Sequence, residues 1–126
     1  SETEGHAAAL QLLDCGAPFD AVFAASDRIA IGVIAALRDR GRSVPGDVSV
    51  VGFDDTLAGF LTPLLTSVRL PARRLGATAV RMVIDEIERK GAPGQHVALD
   101  AELVIRRSTG PTPSRPDMKP CSSSLR

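Results

Sequence analysis

The chain has 126 residues, 15 Lys plus Arg against 15 Asp plus Glu, and 44% hydrophobic residues. That length suits one compact domain with a modest core, and zero net charge supplies no basic field to hold a phosphate backbone. No apolar run approaches a membrane span, the start SETEGH is acidic where a secretory signal would be basic and then apolar, and Cys15 and Cys121 form neither a disulfide framework nor a metal cluster; a cytoplasmic setting is expected.

From about Glu4 to Cys15 the residues favour helix, with Leu10 and Leu13 on one side, Cys15 as a buried small residue, and Gly16 and Pro18 as stops. Ala21 to Ala25, AVFAA, is short, apolar and unbroken, as a buried strand requires. Ser26 and Asp27 end it, and either can accept a backbone N–H at the start of the next helix, which runs to about Arg40 and closes at Gly41. Ala30, Val33, Ile34 and Leu37 recur as one stripe facing a sheet. Ile31 and Ala35 lie outside that stripe, where they either meet a partner subunit or widen the core face.

Gly41 to Asp55, GRSVPGDVSVVGFDD, organises the rest. Val48, Val50, Val51 and Phe53 form a near-continuous β-branched and aromatic run, the pattern of a central parallel strand covered on both faces. Asp54 and Asp55 fall where it runs out, at the edge where open α/β sheets hold ligands. Strand, helix and strand from Ala21 to Phe53 make a βαβ unit, expected to cross over right-handed.

Beyond Asp55 come an apolar loop, a short strand from Thr66 to Arg69, and Pro71 as a helix-start signal. The helix from about Ala72 to Lys90 carries Leu75, Gly76, Ala79, Val80, Val83 and Ile87 as an expected buried stripe, pairs Arg81 with Asp85, and stops at Gly91. His96 to Leu99 and Glu102 to Arg106 alternate enough for two edge strands. Residues 1–110 read as one folded unit. Residues 111–126, rich in Pro and Ser, hold too little apolar surface to offset the entropy of ordering them and are expected to be a flexible tail.

No Ser-His-Asp or Cys-His arrangement and no Gly-rich phosphate loop is present, so catalysis is not expected. His6 and His96 lack a second ligand at metal spacing, and no metal or cofactor is expected. Phe19, Phe23 and Phe53 read as core.

Three blocks, FDAVFAASDRIAIGVIAALRDRG, VPGDVSVVGFDD and LTPLLTSVRLPARRLGATAVRMVIDEIERKG followed by LVIRRSTGP, stand in the order and spacing of one family. The chain resembles, over about Gly5 to Pro111, the effector-binding region of LacI/GalR-type transcriptional regulators. The resemblance implies a three-layer α/β sandwich with a parallel sheet, the C-terminal subdomain of the type I periplasmic-binding-protein-like fold, in truncated form. It implies a sugar or nucleobase-like effector in a cleft shared with a second subdomain, a homodimer, and operator contact only through a helix-turn-helix domain outside this chain. Asp54 matches the effector-binding aspartate of that family's GYDD/GFDD motif. Ser26 stands where the family often has asparagine, and reads as effector contact or helix N-cap. Asp27 reads as a helix-start residue, with effector contact as its alternative. Ile31 and Phe60 match positions that face the other subunit. With half of the cleft outside the chain, weak sugar binding by this chain alone is expected. Two rivals share the doubly wound pattern: a periplasmic sugar-binding protein of a transport system, and a receiver-like or Rossmann enzyme fragment.

Overall fold

The structure, a computed structural model, describes residues 1–16, 18–88 and 94–111. In chain order it comprises α1 (Glu2–Asp14), β1 (Ala21–Phe23), α2 (Asp27–Asp39), β2 (Ser49–Asp54), a 3-10 turn (Ala58–Phe60), β3 (Thr66–Arg69), α3 (Ala72–Ile87) and β4 (Glu102–Val104). The strands form one sheet in the order β1-β2-β3-β4. β1, β2 and β3 are parallel, with Val22 opposite Val50 and Gly52 opposite Ser67; β4 closes the edge antiparallel, with Arg69 opposite Glu102. The tail expected at 111–126 and the expected stop at Gly91 lie outside the described residues, apart from Pro111.

Local chemistry sets the helix bounds. α1 begins two residues earlier than its apolar pattern suggests because Ser1 and Glu4 form a capping box, which satisfies free N–H groups of the first turn. Ser26 caps α2, its hydroxyl accepting from Ile29 N at 3.2 Å, and Gly41 follows with φ +68, the left-handed turn that glycine makes cheaply after a helix.

α2 is the hub of the core. Ala30, Val33, Ile34 and Leu37 are buried as expected, against Val48 just before β2, Val50 of β2 and Leu65. A second edge, Gly32 and Ala36, is buried as well, because α1 lies across it. The helices meet nearly backbone to backbone: a Cβ on Gly32 would stand 2.0 Å from the Glu2 carbonyl oxygen, and one on Gly5 2.4 Å from that of Ile29. Outside these stripes Ala35 is exposed and Ile31 half-buried.

The opposite face of the sheet is open, which corrects three expectations. Register puts Phe23 beside Val51 and Phe53 beside Val68, on the side away from α2. β2 is central and parallel, yet Val51 and Phe53 are only half-buried. Phe23 is 63% exposed, touching Phe53 edge-on at 6.3 Å between ring centroids, instead of lying in the core. Of the three layers expected, the described residues assemble the sheet and one helical layer.

α3 is the largest departure. Its period is helical as expected, but it buries none of its residues, with Leu75, Val80, Val83 and Ile87 each more than half exposed. Arg81 and Asp85 form no ion pair among the described residues, in keeping with the small gain of a solvated pair. The expected strand at His96–Leu99 is absent and that segment is largely exposed, having no sheet neighbour to pair with. Cys15 is exposed too, just past the end of α1, with its Sγ–H directed at Leu12 O at 3.0 Å.

The chain after β4 locks the sheet. Val50 N donates to Ser108 O at 2.8 Å, Ser108 Oγ donates to Val50 O at 2.5 Å, and Thr66 N donates to Ser108 Oγ at 2.8 Å. One fully buried serine thus supplies the backbone partners that β2 and β3 do not give each other at that end.

Candidate functional site

Parallel β1, β2 and β3 deliver their carboxyl ends to one edge of the sheet, the usual place for ligands in open α/β folds. Ser26 and Asp27 follow β1, Asp54 and Asp55 close β2, and Arg69 closes β3. Four of these five residues carry charge, and the structure gives each a different task.

Asp27 is fully buried and fully used. Its Oδ2 accepts from Leu57 N and Ala58 N, each at 2.9 Å, and its Oδ1 accepts from Ser67 Oγ at 2.7 Å. Gly52 makes room for it, since a Cβ there would stand 2.6 Å from Asp27 Oδ1. Asp27 therefore stands at the start of α2 as expected, but its carboxylate holds the loop after β2 and not the free N–H groups of its own helix, whose cap is Ser26. Ser26 is half-buried and already engaged as the cap of α2, though a hydroxyl accepting one bond can still donate another.

Asp54 and Asp55 both have positive φ, 94 and 55, a region costly for side-chain-bearing residues and tolerated best by Asp and Asn. The turn is held by Thr56, whose N and Oγ1 both donate to Asp54 Oδ1, at 2.9 and 2.5 Å, and by Asp55 N, which donates to Ser67 Oγ at 3.2 Å. Asp54 is half-buried, and among the described residues its Oδ2 takes no partner. Asp55 instead turns inward: its side chain is 4% exposed, with Arg69 Nε at 2.7 Å and Arg106 Nη1 at 2.6 Å. The Arg106 guanidinium, then burial in the opposite sense, then Arg69 act on this carboxyl, and the net result holds it below the usual carboxylate range. Arg106 is raised by the same pairing.

The adjacent carboxylates thus divide. Asp55 is neutralised within the fold, whereas Asp54 presents one oxygen outward. Of the residues proposed for a subunit contact, Phe60 is 87% exposed on the 3-10 turn and Ile31 half-buried on α2. Sequence reasoning missed Arg69, Arg106 and Ser67. The signal for Arg106 was a charge interrupting the apolar run LVI; nothing local pointed to Ser67. Among the described residues no group of three or more His, Cys, Asp and Glu could hold a metal ion, and no helix is long and apolar enough to cross a membrane.

Comparison with known proteins adds identity to this geometry. Residues 1–109 match the Periplasmic binding protein-like domain. The HTH-type transcriptional regulator MalR of Streptomyces coelicolor is 46% identical over 110 residues, covering 86% of this chain and 31% of that protein. A transcriptional regulator CelR–cellobiose complex superposes with a TM-score of 0.81 at 38% identity, over 86% of this chain and 33% of the other. A LacI family transcriptional regulator from Arthrobacter sp. FB24 in complex with lactose gives 0.78 at 32% identity, over 87% and 42%. The chain therefore spans about a third of the length of such a regulator. With a parallel sheet whose acidic edge follows the GFDD motif, the chain belongs to the periplasmic-binding-protein-like family in its LacI-type regulator branch, of which it forms part of the effector-binding domain.

Proposed function

We propose that this chain is the C-terminal part of the effector-binding and dimerising region of a ligand-responsive, non-catalytic transcriptional regulator working in the cytoplasm. Effector would bind at the carboxyl edge of the sheet, against a second subdomain contributed by the rest of the protein. The observation that carries this reading is the outward oxygen of Asp54, set on a strained turn at the ligand edge of a fold whose relatives include sugar complexes. A carboxylate there accepts ligand hydroxyls, and charge-assisted bonds of this kind contribute about 1.5–3 kcal/mol each. Ser26 adds a hydroxyl donor beside it, and Asp27 acts by holding the loop.

The open carboxylate narrows the effector class. With Asp27 buried and Asp55 paired to Arg69 and Arg106, Asp54 is the acidic group left to meet a ligand beside Ser26; this disfavours an anionic group at that position and suits the hydroxyls of a neutral polyol. Nothing in the relatives supports the transport-protein reading, since those compared are regulators. Regulation would follow from population shift: an effector favouring one subdomain arrangement changes the spacing of DNA-binding heads in a homodimer built on Ile31 and Phe60.

The test is calorimetric titration of the full-length protein carrying this segment with cellobiose, lactose and glucose 6-phosphate. Binding of a neutral sugar that Asp54→Asn weakens at least tenfold, with no binding of the phosphate, is expected; sugar binding indifferent to Asp54→Asn would overturn the reading.

A further inference from the structure

α3 hangs from the sheet by two strands, and both pass Arg69. β3 ends at Arg69 and α3 begins at Ala72; the chain returns through Glu102, paired in register with Arg69. α3 buries none of its own residues and along its length meets, among the described residues, only the open segment at Gly94, Gln95 and Val97, so this junction is its firm attachment to the sheet.

The junction is also wired to the ligand edge. Arg69 Nε donates to Asp55 Oδ2 at 2.7 Å, and Arg69 Nη1 lies 3.7 Å from Glu102 Oε2. Asp55 shares a turn with Asp54, and that turn has two successive non-glycine residues at positive φ. Such a shape persists only where its surroundings over-determine it. The surroundings here are the β2–β3 register that sets Asp54 opposite Arg69, the Asp55 N–H on Ser67, and the Asp55 carboxylate, hydrogen-bonded to Arg69 and ion-paired with Arg106.

We propose that Arg69 is a positioning residue that couples the Asp54 turn to α3. Through Asp55, the guanidinium fixes the turn to the strand that becomes α3, so displacement of the turn by a ligand re-aims the helix, and a re-aimed helix resets the turn. Thermodynamic linkage makes the two effects equal in size. The ligand half of this statement rests on the proposed role of Asp54; the mechanical half, turn to helix, does not.

Two measurements on the full chain test the mechanical half. Amide hydrogen exchange at Thr56, Leu57 and Ala58 reports the turn, and residual dipolar couplings report the orientation of α3 relative to α2. In Arg69→Gln, exchange at Thr56 is expected to rise about tenfold, and the α3 couplings to fall away from the alignment that fits α2. Arg69→Lys, which keeps the charge, should restore both partly. Glu102→Gln removes only an exposed pair and should leave Thr56 unchanged. If Arg69→Gln accelerates exchange uniformly across the sheet, or alters the turn while α3 keeps its couplings, Arg69 is merely structural and the proposal fails. Adding cellobiose to the full-length protein tests the ligand half: no sugar binding by wild type would sink the role of Asp54 while leaving the exchange result standing.

Discussion

Ser67 donates its hydroxyl to Asp27 at 2.7 Å while accepting the N–H of Asp55 at 3.2 Å, so a single strand residue joins the start of α2 to the turn after β2. With Leu57 and Ala58 N–H on its other oxygen, Asp27 satisfies three buried or half-buried donors at once. Asp27→Ala leaves all three without that partner, and at about 1–3 kcal/mol for an orphaned buried group the expected loss is about 3 kcal/mol or more. Ser67→Ala should cost about half as much. Urea denaturation with an unchanged slope measures both; a loss under about 1 kcal/mol for Asp27→Ala would mean the loop finds other partners.

Asp55 is the group expected to make the fold acid-sensitive. Its folded-state carboxyl lies below the ordinary range because Arg106 and then Arg69 favour the ionised form against burial. The sign follows from linkage: above an unfolded value of about 3.9 the full contribution is present, and it is lost as pH falls through the lower folded value. Stability should therefore drop steeply below about pH 4, and Asp55→Asn should flatten that slope while lowering stability at pH 7. Asp14 is lowered in the same sense by Arg40, but that pair is solvent-exposed, so Asp14→Asn should leave the acid limb nearly unchanged. Chemical denaturation across pH separates the two variants.

The α1–α2 crossing sets two effects of glycine against each other. Alanine raises helix propensity by about 1 kcal/mol over glycine, yet a Cβ on Gly32 meets the Glu2 carbonyl oxygen at 2.0 Å and His6 N at 2.5 Å. These are backbone atoms, which cannot step aside without moving α1. Gly32→Ala is thus expected to destabilise by about 2 kcal/mol net, whereas Gly76→Ala, with nothing within 4 Å of its added Cβ, should stabilise slightly. A lower melting temperature for the first and a higher one for the second is the expected pair of results.

Phe60 stands 87% exposed, a surface that a subunit contact would explain. Covering such a ring is favourable by about 1.5–3 kcal/mol. In sedimentation equilibrium of the full-length protein, Phe60→Ala and Ile31→Asp should each weaken self-association by tenfold or more. A dimer indifferent to both variants would place its interface elsewhere.

How much was legible depended on whether the deciding partner lay nearby in the sequence. The stripe of Ala30, Val33, Ile34 and Leu37 was readable because period and cover are both supplied within a short βαβ unit. Phe23 was misread because a strand's apolar residues do not say which face is left open. Asp27 and Asp54 look alike from sequence, each an acid at a strand end. What separates them is the pair of N–H groups at Leu57 and Ala58, thirty residues from Asp27, and no local pattern encodes that contact. Arg106 pairs with Asp55 across a still longer stretch, which made the neutralised member of the acidic pair invisible until the fold was known.

α3 supplies the sharpest test of period against burial. Its apolar residues recur as regularly as those of α2, and in a packed helix Val83→Gln or Ile87→Gln would cost about 2 kcal/mol or more through lost burial. Here Val83 is 58% and Ile87 75% exposed, so either change should move the stability of this chain by less than about 0.5 kcal/mol. An exposed apolar stripe of this kind is a surface for association, so the same variants should reduce binding of a hydrophobic dye and any self-association of the chain. In the full-length protein the outcome should reverse, with the glutamine variants destabilising, if the remaining two-thirds of a LacI-type regulator covers this stripe. Denaturation of both forms decides the matter: a large loss in the short chain would mean that α3 packs on its own sheet, and no loss in the long one would leave the stripe for an external partner.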